Sequence, residues 1–157
     1  MVKSEITARL SSINTSVILS QTDTTVGFVS QNKDKLYEIK TRDTSKQFIK
    51  VYSSFKEYLT DGNRIPTCQK NLVRRSKKTT FIVKNRAFRV AKNSLNSNLL
   101  RNIQWSYSTS ANEAGKKFSR KFCEYKADII IEDKAGLTEN SSSILIKINN
   151  SKKVRIR

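Results

Sequence analysis

Histidine is absent from this chain of 157 residues. That absence excludes Ser-His-Asp triads, Cys-His pairs and histidine-ligated zinc. One proline and four glycines leave little material for linkers, and no internal repeat is visible, so residues 1–157 read as a single domain. The two cysteines, Cys68 and Cys123, have neither motif spacing nor a partner cluster and read as reduced thiols. No apolar run is long enough to span a bilayer, and the first ten residues lack the apolar segment of a signal peptide. A cytoplasmic location without membrane contact is the expectation.

Acidic residues are scarce as well. Thirteen Asp and Glu stand against 31 Lys and Arg, a net charge of +18. A chain so basic accumulates on polyanions, and its cations are spread along the sequence rather than gathered in a tail. Nucleic-acid contact by the folded domain is one reading; a generic basic surface is the other. If the chain is an enzyme, its chemistry runs on cations, hydroxyls, backbone amides and a metal carried in by substrate. Phosphoryl and nucleotidyl transfers suit that inventory, because they need positioning and charge stabilisation more than a tuned base.

Hydrophobic periodicity sets out the elements. Helices are predicted over residues 4–12, 34–40, 68–75, 93–101 and 112–125, the last with Phe118, Phe122 and Tyr125 as its apolar stripe. Ser54 and Glu57 have capping-box spacing and open a further helix through Leu59. Strands are predicted over 17–19, 48–52, 79–83, 87–90, 104–107, 128–131, 143–148 and 153–156, with a tight hairpin at Lys84-Asn85-Arg86. Helices and strands alternate early, and strands pair directly later. The pattern implies an α/β domain with a twisted mixed sheet, parallel and antiparallel, flanked by helices.

Three polar segments carry candidate chemistry. Val17-Ile18-Leu19 runs into Ser20-Gln21-Thr22-Asp23-Thr24 and reaches Gly27. That places Thr22 and Thr24 at a strand end, where open α/β sheets bind small ligands; the plainer reading is a polar turn. Lys40-Thr41-Arg42, followed by Lys46, offers a guanidinium fork and point charges to phosphate; the plainer reading is a solvated helix end. Ser108-Thr109-Ser110-Ala111-Asn112 follows a strand and is expected to open a helix, whose free amides attract anions; simple capping is the plainer reading.

Taken in this order, the three segments resemble the Sua5/YrdC/YciO family of threonylcarbamoyl-AMP synthases. The matching residues are Thr22-Asp23-Thr24, Gly27, Lys40-Thr41-Arg42 and Ser108 to Asn112, with Thr79 to Val83 and Phe88-Arg89-Val90 similar to central strands. Ser142-Ser143-Ile144 and the closing Val154-Arg155-Ile156-Arg157 resemble the family's last segments. The departures are Asp43 and Gln47 where the family usually has proline, Val26 in place of tyrosine, and Ser76-Lys77-Lys78 in place of a Gly-Pro-rich turn.

The resemblance implies a YrdC-like fold and synthesis of threonylcarbamoyl-AMP from L-threonine, bicarbonate and ATP, with release of pyrophosphate. Lys40, Arg42, Lys46, Ser110 and Asn112 are then expected to hold ATP, together with Arg155 or Arg157. Thr22 or Thr24, Arg89 and Ser142 are expected to hold threonine or its carbamate. Mg2+ is expected with ATP, with no protein side chain as ligand. Expected partners are tRNA or other double-stranded RNA, and the proteins that transfer the threonylcarbamoyl group to tRNA adenosine beside the anticodon. The alternative is a non-catalytic module of the same fold that binds tRNA or rRNA.

Overall fold

The computed structural model describes residues 13–41, 43–92 and 95–157. The helix expected over 4–12, and Arg42, lie outside the described residues. Nine strands form one sheet: β1 (Ile18–Gln21), β2 (Val26–Ser30), β3 (Ile49–Tyr52), β4 (Thr79–Val83), β5 (Arg86–Val90), β6 (Trp105–Ser110), β7 (Ile129–Ile131), β8 (Ile144–Ile148) and β9 (Lys153–Arg155). Their spatial order is β7-β1-β2-β6-β3-β5-β4-β8-β9. The pairs β1–β7, β3–β5 and β4–β8 are parallel and the other five antiparallel. The sheet is therefore mixed, as the pattern implied.

Five helices described over their full length accompany it: α1 (Lys33–Lys40), α2 (Phe55–Thr60), α3 (Lys70–Arg75), α4 (Leu95–Ile103) and α5 (Arg120–Lys126). A single 3-10 turn, Thr67–Gln69, leads into α3. Asn32 caps α1 by accepting from the amides of Asp34 and Lys35. Ser54 caps α2 by accepting from the Glu57 amide at 3.1 Å, the local bond its spacing predicted. The β4–β5 hairpin turns on Lys84 and Asn85, both at positive φ, as the right-handed twist of paired strands requires.

Register decides which side chains share a face. Val51 pairs with Arg89 on one side and Ser106 on the other, so these three point to one face, here the front. Lys50 pairs with Phe88 and Tyr107, which point to the back. Helix α4 covers part of the front, packing Leu100 and Ile103 on Val51 and Ala91. The back carries two apolar clusters. One gathers Phe28, Leu36, Phe48 and Cys123 beneath α1 and α5; the other gathers Tyr52, Tyr58, Val73 and Phe88 beneath α2 and α3.

Three expectations are corrected. The serine run does not follow the strand but belongs to it: Ser108, Thr109 and Ser110 continue β6 and pair with β2. Serine's small side chain lets both faces of a central strand approach other elements closely, and burial overrides its weak β-propensity. Helix α5 begins at Arg120 rather than 112, so no helix opens at Ser110 or Asn112. Tyr125 is 85% exposed, and the buried position of that helix is Cys123, flanked by Phe118 and Phe122. Strand β2, a short continuous apolar run between hydroxyl residues, has no alternation to mark it and was not foreseen. Among the described residues no helix is long and apolar enough to cross a membrane.

Candidate active site

The turn between β1 and β2 folds back on itself through hydroxyls. Thr22 Oγ1 donates to the Thr25 carbonyl at 2.6 Å and accepts from the amides of Thr24 and Thr25. The turn therefore presents Thr24 to the front of the sheet, where Arg89 of β5 donates from Nη1 to Thr24 Oγ1 at 2.7 Å. Asp23 lies on the same guanidinium, its Oδ1 3.5 Å from Arg89 Nε, with both side chains 5% exposed. That separation is an ion pair rather than a good hydrogen bond, and both atoms lack a hydrogen-bond partner among the described residues. Burial pushes the Asp23 carboxyl above the usual carboxylate range, against the pull of Arg89. Burial likewise disfavours the Arg89 cation and Asp23 favours it; a guanidinium keeps its proton regardless. Arg89 is thus a buried cation incompletely matched by the protein, and it lines a cavity.

That cavity measures about 320 Å³. Its walls include Thr22, Thr24, Arg89, Ser110, Ser142 and Arg157. Five stretches far apart in sequence therefore converge there. Gly27 forms part of the wall where space is tight: a Cβ there would stand 3.0 Å from the Thr109 carbonyl and 3.0 Å from Thr22 Cγ2. Thr80 and Ser143 share a hydroxyl–hydroxyl bond of 2.8 Å across β4 and the approach to β8. Arg157 Nε donates to the Ser143 carbonyl at 3.2 Å, which draws the last residue over the opening. Arg155 instead donates to the Arg157 carbonyl and does not line the cavity, so the register of the two arginines favours Arg157.

A second hollow of about 400 Å³ adjoins the first, sharing Thr109 and Ser110 with it. It is lined by Lys40, Lys46, Ser110 and Asn112, with Asp43 at its edge. Asp43 turns its carboxylate onto the Ser45 amide at 2.9 Å, a bond that holds its pKa below the ordinary value. The Lys40 ammonium donates to the Ser110 carbonyl at 3.1 Å, to Asn112 Oδ1 at 2.8 Å and to the Asn112 carbonyl. Ser110 Oγ donates to the same Asn112 oxygen at 2.7 Å. The end of α1 is thereby fastened to the turn after β6.

Eight of the residues expected to bind substrate and lying within the described chain thus border two contiguous hollows, and Arg157 makes a ninth. Sequence reading assigned no site role to Asp23, the partner of Arg89, or to Gln47, Ser108 and Ser143, which also line the front cavity. The signal was there: Asp23 sits inside Thr22-Asp23-Thr24, Ser108 opens the serine run and Ser143 follows Ser142.

A mixed nine-stranded sheet with this polar cup on its front defines the YrdC-like class of fold. Among the particular structures that share it are Sua5 and YciO. Two structures of P. abyssi Sua5, one a double variant and one complexed with L-threonine, superpose with TM-scores of 0.78 and 0.73 at 18% and 17% identity. Each comparison covers 96% of this chain but only 55% and 52% of Sua5, so the chain spans about half the length of that protein. E. coli YciO superposes with a TM-score of 0.75 at 16% identity, covering 96% of this chain and 86% of YciO. Full-length HypF in its phosphate- and nucleotide-bound form has a TM-score of 0.71 at 13% identity, over 98% of this chain and 28% of HypF. No protein-family profile matches the chain, and no curated protein matches it. The likeness is one of fold.

Proposed function

We propose that this chain is a threonylcarbamoyl-AMP synthase, joining L-threonine, bicarbonate and ATP and releasing pyrophosphate. The single observation that carries the reading is the buried, under-matched Arg89 guanidinium opening into a cavity that adjoins a second, lysine-bearing hollow. Two anions must meet in this reaction, threonine carbamate and the triphosphate. A pair of contiguous sites with fixed cations offsets their repulsion and orients them. The L-threonine complex of Sua5 and the nucleotide-bound form of HypF support the choice of substrates.

In this reading the threonine amine and bicarbonate condense to the carbamate with loss of water. A carbamate oxygen then forms a bond to the α-phosphorus of ATP, the bond from that phosphorus to the bridging oxygen breaks, and pyrophosphate leaves. Arg89 receives the carboxylate or carbamate, and Thr24, Thr22 and Ser142 supply hydroxyls around it. Lys46, Asn112, Ser110 and Arg157 surround the phosphates, with Arg42 assigned by its motif alone. Lys40 shapes the phosphate hollow through its bonds to Ser110 and Asn112. Magnesium enters as part of the ATP substrate and offsets phosphate charge. Substrates seated together in the front cavity limit the access of water to a carbamate that hydrolysis would destroy. The product is then available to proteins that modify tRNA.

The test is pyrophosphate release by the purified protein. We expect release that requires ATP, L-threonine and bicarbonate together. Folded protein that releases none, or releases it without threonine, would refute the proposal.

A further inference from the structure

Several hydroxyls around the front cavity are already bonded within the protein. Ser110 donates to Asn112, Ser143 shares a bond with Thr80, and Thr25 accepts from the Asn140 amide at 3.1 Å. Ser108 differs. It lines the same cavity, it is 5% exposed, and its hydroxyl has no hydrogen-bond partner among the described residues. A buried hydroxyl is costly to leave unmatched, so at a cavity wall it favours a ligand that brings a partner group. Its neighbour across the sheet is apolar. Ile49 of β3 pairs with Ser108 of β6, which sets the two side chains on the front face with β-carbons about 5 Å apart. Ile49 packs against the cluster of Val51 and Leu100, and its partly exposed remainder lines the cavity. Phe48, the other apolar residue at that wall, belongs to the core on the back. Val51, the next front-facing residue of β3, pairs with Arg89. An unmatched hydroxyl, a front-facing apolar side chain and the buried guanidinium thus share one stretch of the sheet.

We propose that Ser108 and Ile49 select the amino-acid substrate by its β-carbon, Ser108 bonding a β-hydroxyl and Ile49 packing against a β-methyl. The inference rests on the synthase reading, in which Arg89 receives the carboxylate or carbamate and the rest of a small amino acid lies against this pair. L-Threonine carries both groups on one carbon. Serine lacks the methyl, and valine lacks the hydroxyl. An apolar wall separates substrates that differ by one methyl by about 10- to 200-fold, and a buried polar group penalises an analogue that leaves it unpaired. Neither residue moves a proton or meets the reacting phosphorus; their role is discrimination.

The experiment titrates the whole chain calorimetrically with L-threonine, L-serine and L-valine, and records pyrophosphate release with each. Threonine is expected to bind about tenfold more tightly than either analogue. Ile49→Ala is expected to lower the threonine-to-serine affinity ratio about tenfold and to hold the threonine-to-valine ratio within about twofold, because valine keeps the methyl. Ser108→Ala is expected to do the reverse, because serine keeps the hydroxyl. A purely structural loosening of the cavity would move all three affinities together and leave both ratios fixed. Ile49→Val, a smaller change to the packing around Val51, is expected to shift the same ratio in the same direction by less. Far-UV circular dichroism checks that each variant is folded. No threonine binding, equal binding of the three amino acids, or an alanine variant that leaves its own ratio unmoved would overturn the proposal. Crossed ratios without pyrophosphate release would uphold the selecting pair and refute the synthesis; release with uncrossed ratios would do the opposite.

Discussion

Across 72 positions of sequence, the Lys40 ammonium donates to the side-chain oxygen of Asn112 at 2.8 Å. Lys40 is 7% exposed, and it also donates to the carbonyls of Ser110 and Asn112 in the same turn. A cation in that position serves first to hold the turn against α1. Lys40→Met removes the donor that ties this half-buried turn to α1 and is expected to cost about 1 kcal/mol of stability. It is also expected to weaken ATP binding by loosening the hollow. Lys46→Ala, at an exposed side chain, is expected to weaken ATP binding with an unchanged melting temperature. Thermal melting and ATP titration on the two variants check the distinction; equal melting temperatures would remove the positioning role of Lys40.

Arg89 is expected to govern the amino-acid substrate. Arg89→Lys keeps a charge but loses the planar fork that reaches Thr24 and Asp23 together. We expect the loss of a charge-assisted hydrogen bond to substrate, worth about 1.5–3 kcal/mol, to appear as a raised KM for L-threonine while ATP affinity stays within about twofold. Steady-state kinetics with each substrate varied in turn gives the answer, and an unchanged KM for threonine would remove Arg89 from the site.

Gly27 tests the shape of the cup. Its φ is ordinary, so the constraint is space alone: Cβ would press on the Thr109 carbonyl and on Thr22 at 3.0 Å each. We expect Gly27→Ala to destabilise the chain by about 1–3 kcal/mol through overpacking, and to lower kcat/KM by displacing the Thr22 turn. Gly62→Ala, where a Cβ meets nothing within 4 Å, separates the effect of space from that of backbone conformation, because Gly62 sits at φ +77°.

Asp128 supplies a pH-dependent contribution to stability. Its carboxylate accepts from the Val17 amide at 2.8 Å and from Lys35 at 3.3 Å. The amide bond holds the carboxyl below its usual pKa; burial opposes the shift and Lys35 assists it. A carboxylate depressed in the folded state stabilises the fold above its unfolded pKa of about 3.9 and loses that effect as pH falls toward the folded value. Asp128→Asn is therefore expected to melt lower than the unaltered chain at pH 7, with the gap closing below about pH 4. A gap that widened on acidification would reverse the sign and the explanation.

Much of the fold was legible where local rules act alone. The Ser54 cap, the Lys84-Asn85 turn and the alternating face of β4 and β5 each need only a few neighbouring residues. The serine run misled because its conformation is set by partners on both sides: β2 and β3 draw Ser108 into the sheet, against what its polarity suggests in isolation. The helix expected from residue 112 failed for the opposite reason, since Asn112 turns its amide onto the Lys116 carbonyl at 2.6 Å and closes a loop instead. At the site, the ordered motifs marked Thr24, Arg89 and Asn112 in advance. They could not reveal that Asp23 counters Arg89 or that Arg157, rather than Arg155, reaches the opening, because both facts depend on how β5 and β9 lie against the rest of the sheet.

The most direct measurement follows carbon. Protein incubated with ATP, L-threonine and isotopically labelled bicarbonate, then separated rapidly by chromatography, is expected to yield label in a species carrying both adenylate and threonine. That label is expected to vanish when threonine is omitted and to fall sharply in Arg89→Lys. Labelled adenylate formed equally without threonine, or none formed by protein shown to be folded, would contradict threonylcarbamoyl-AMP synthesis by this chain.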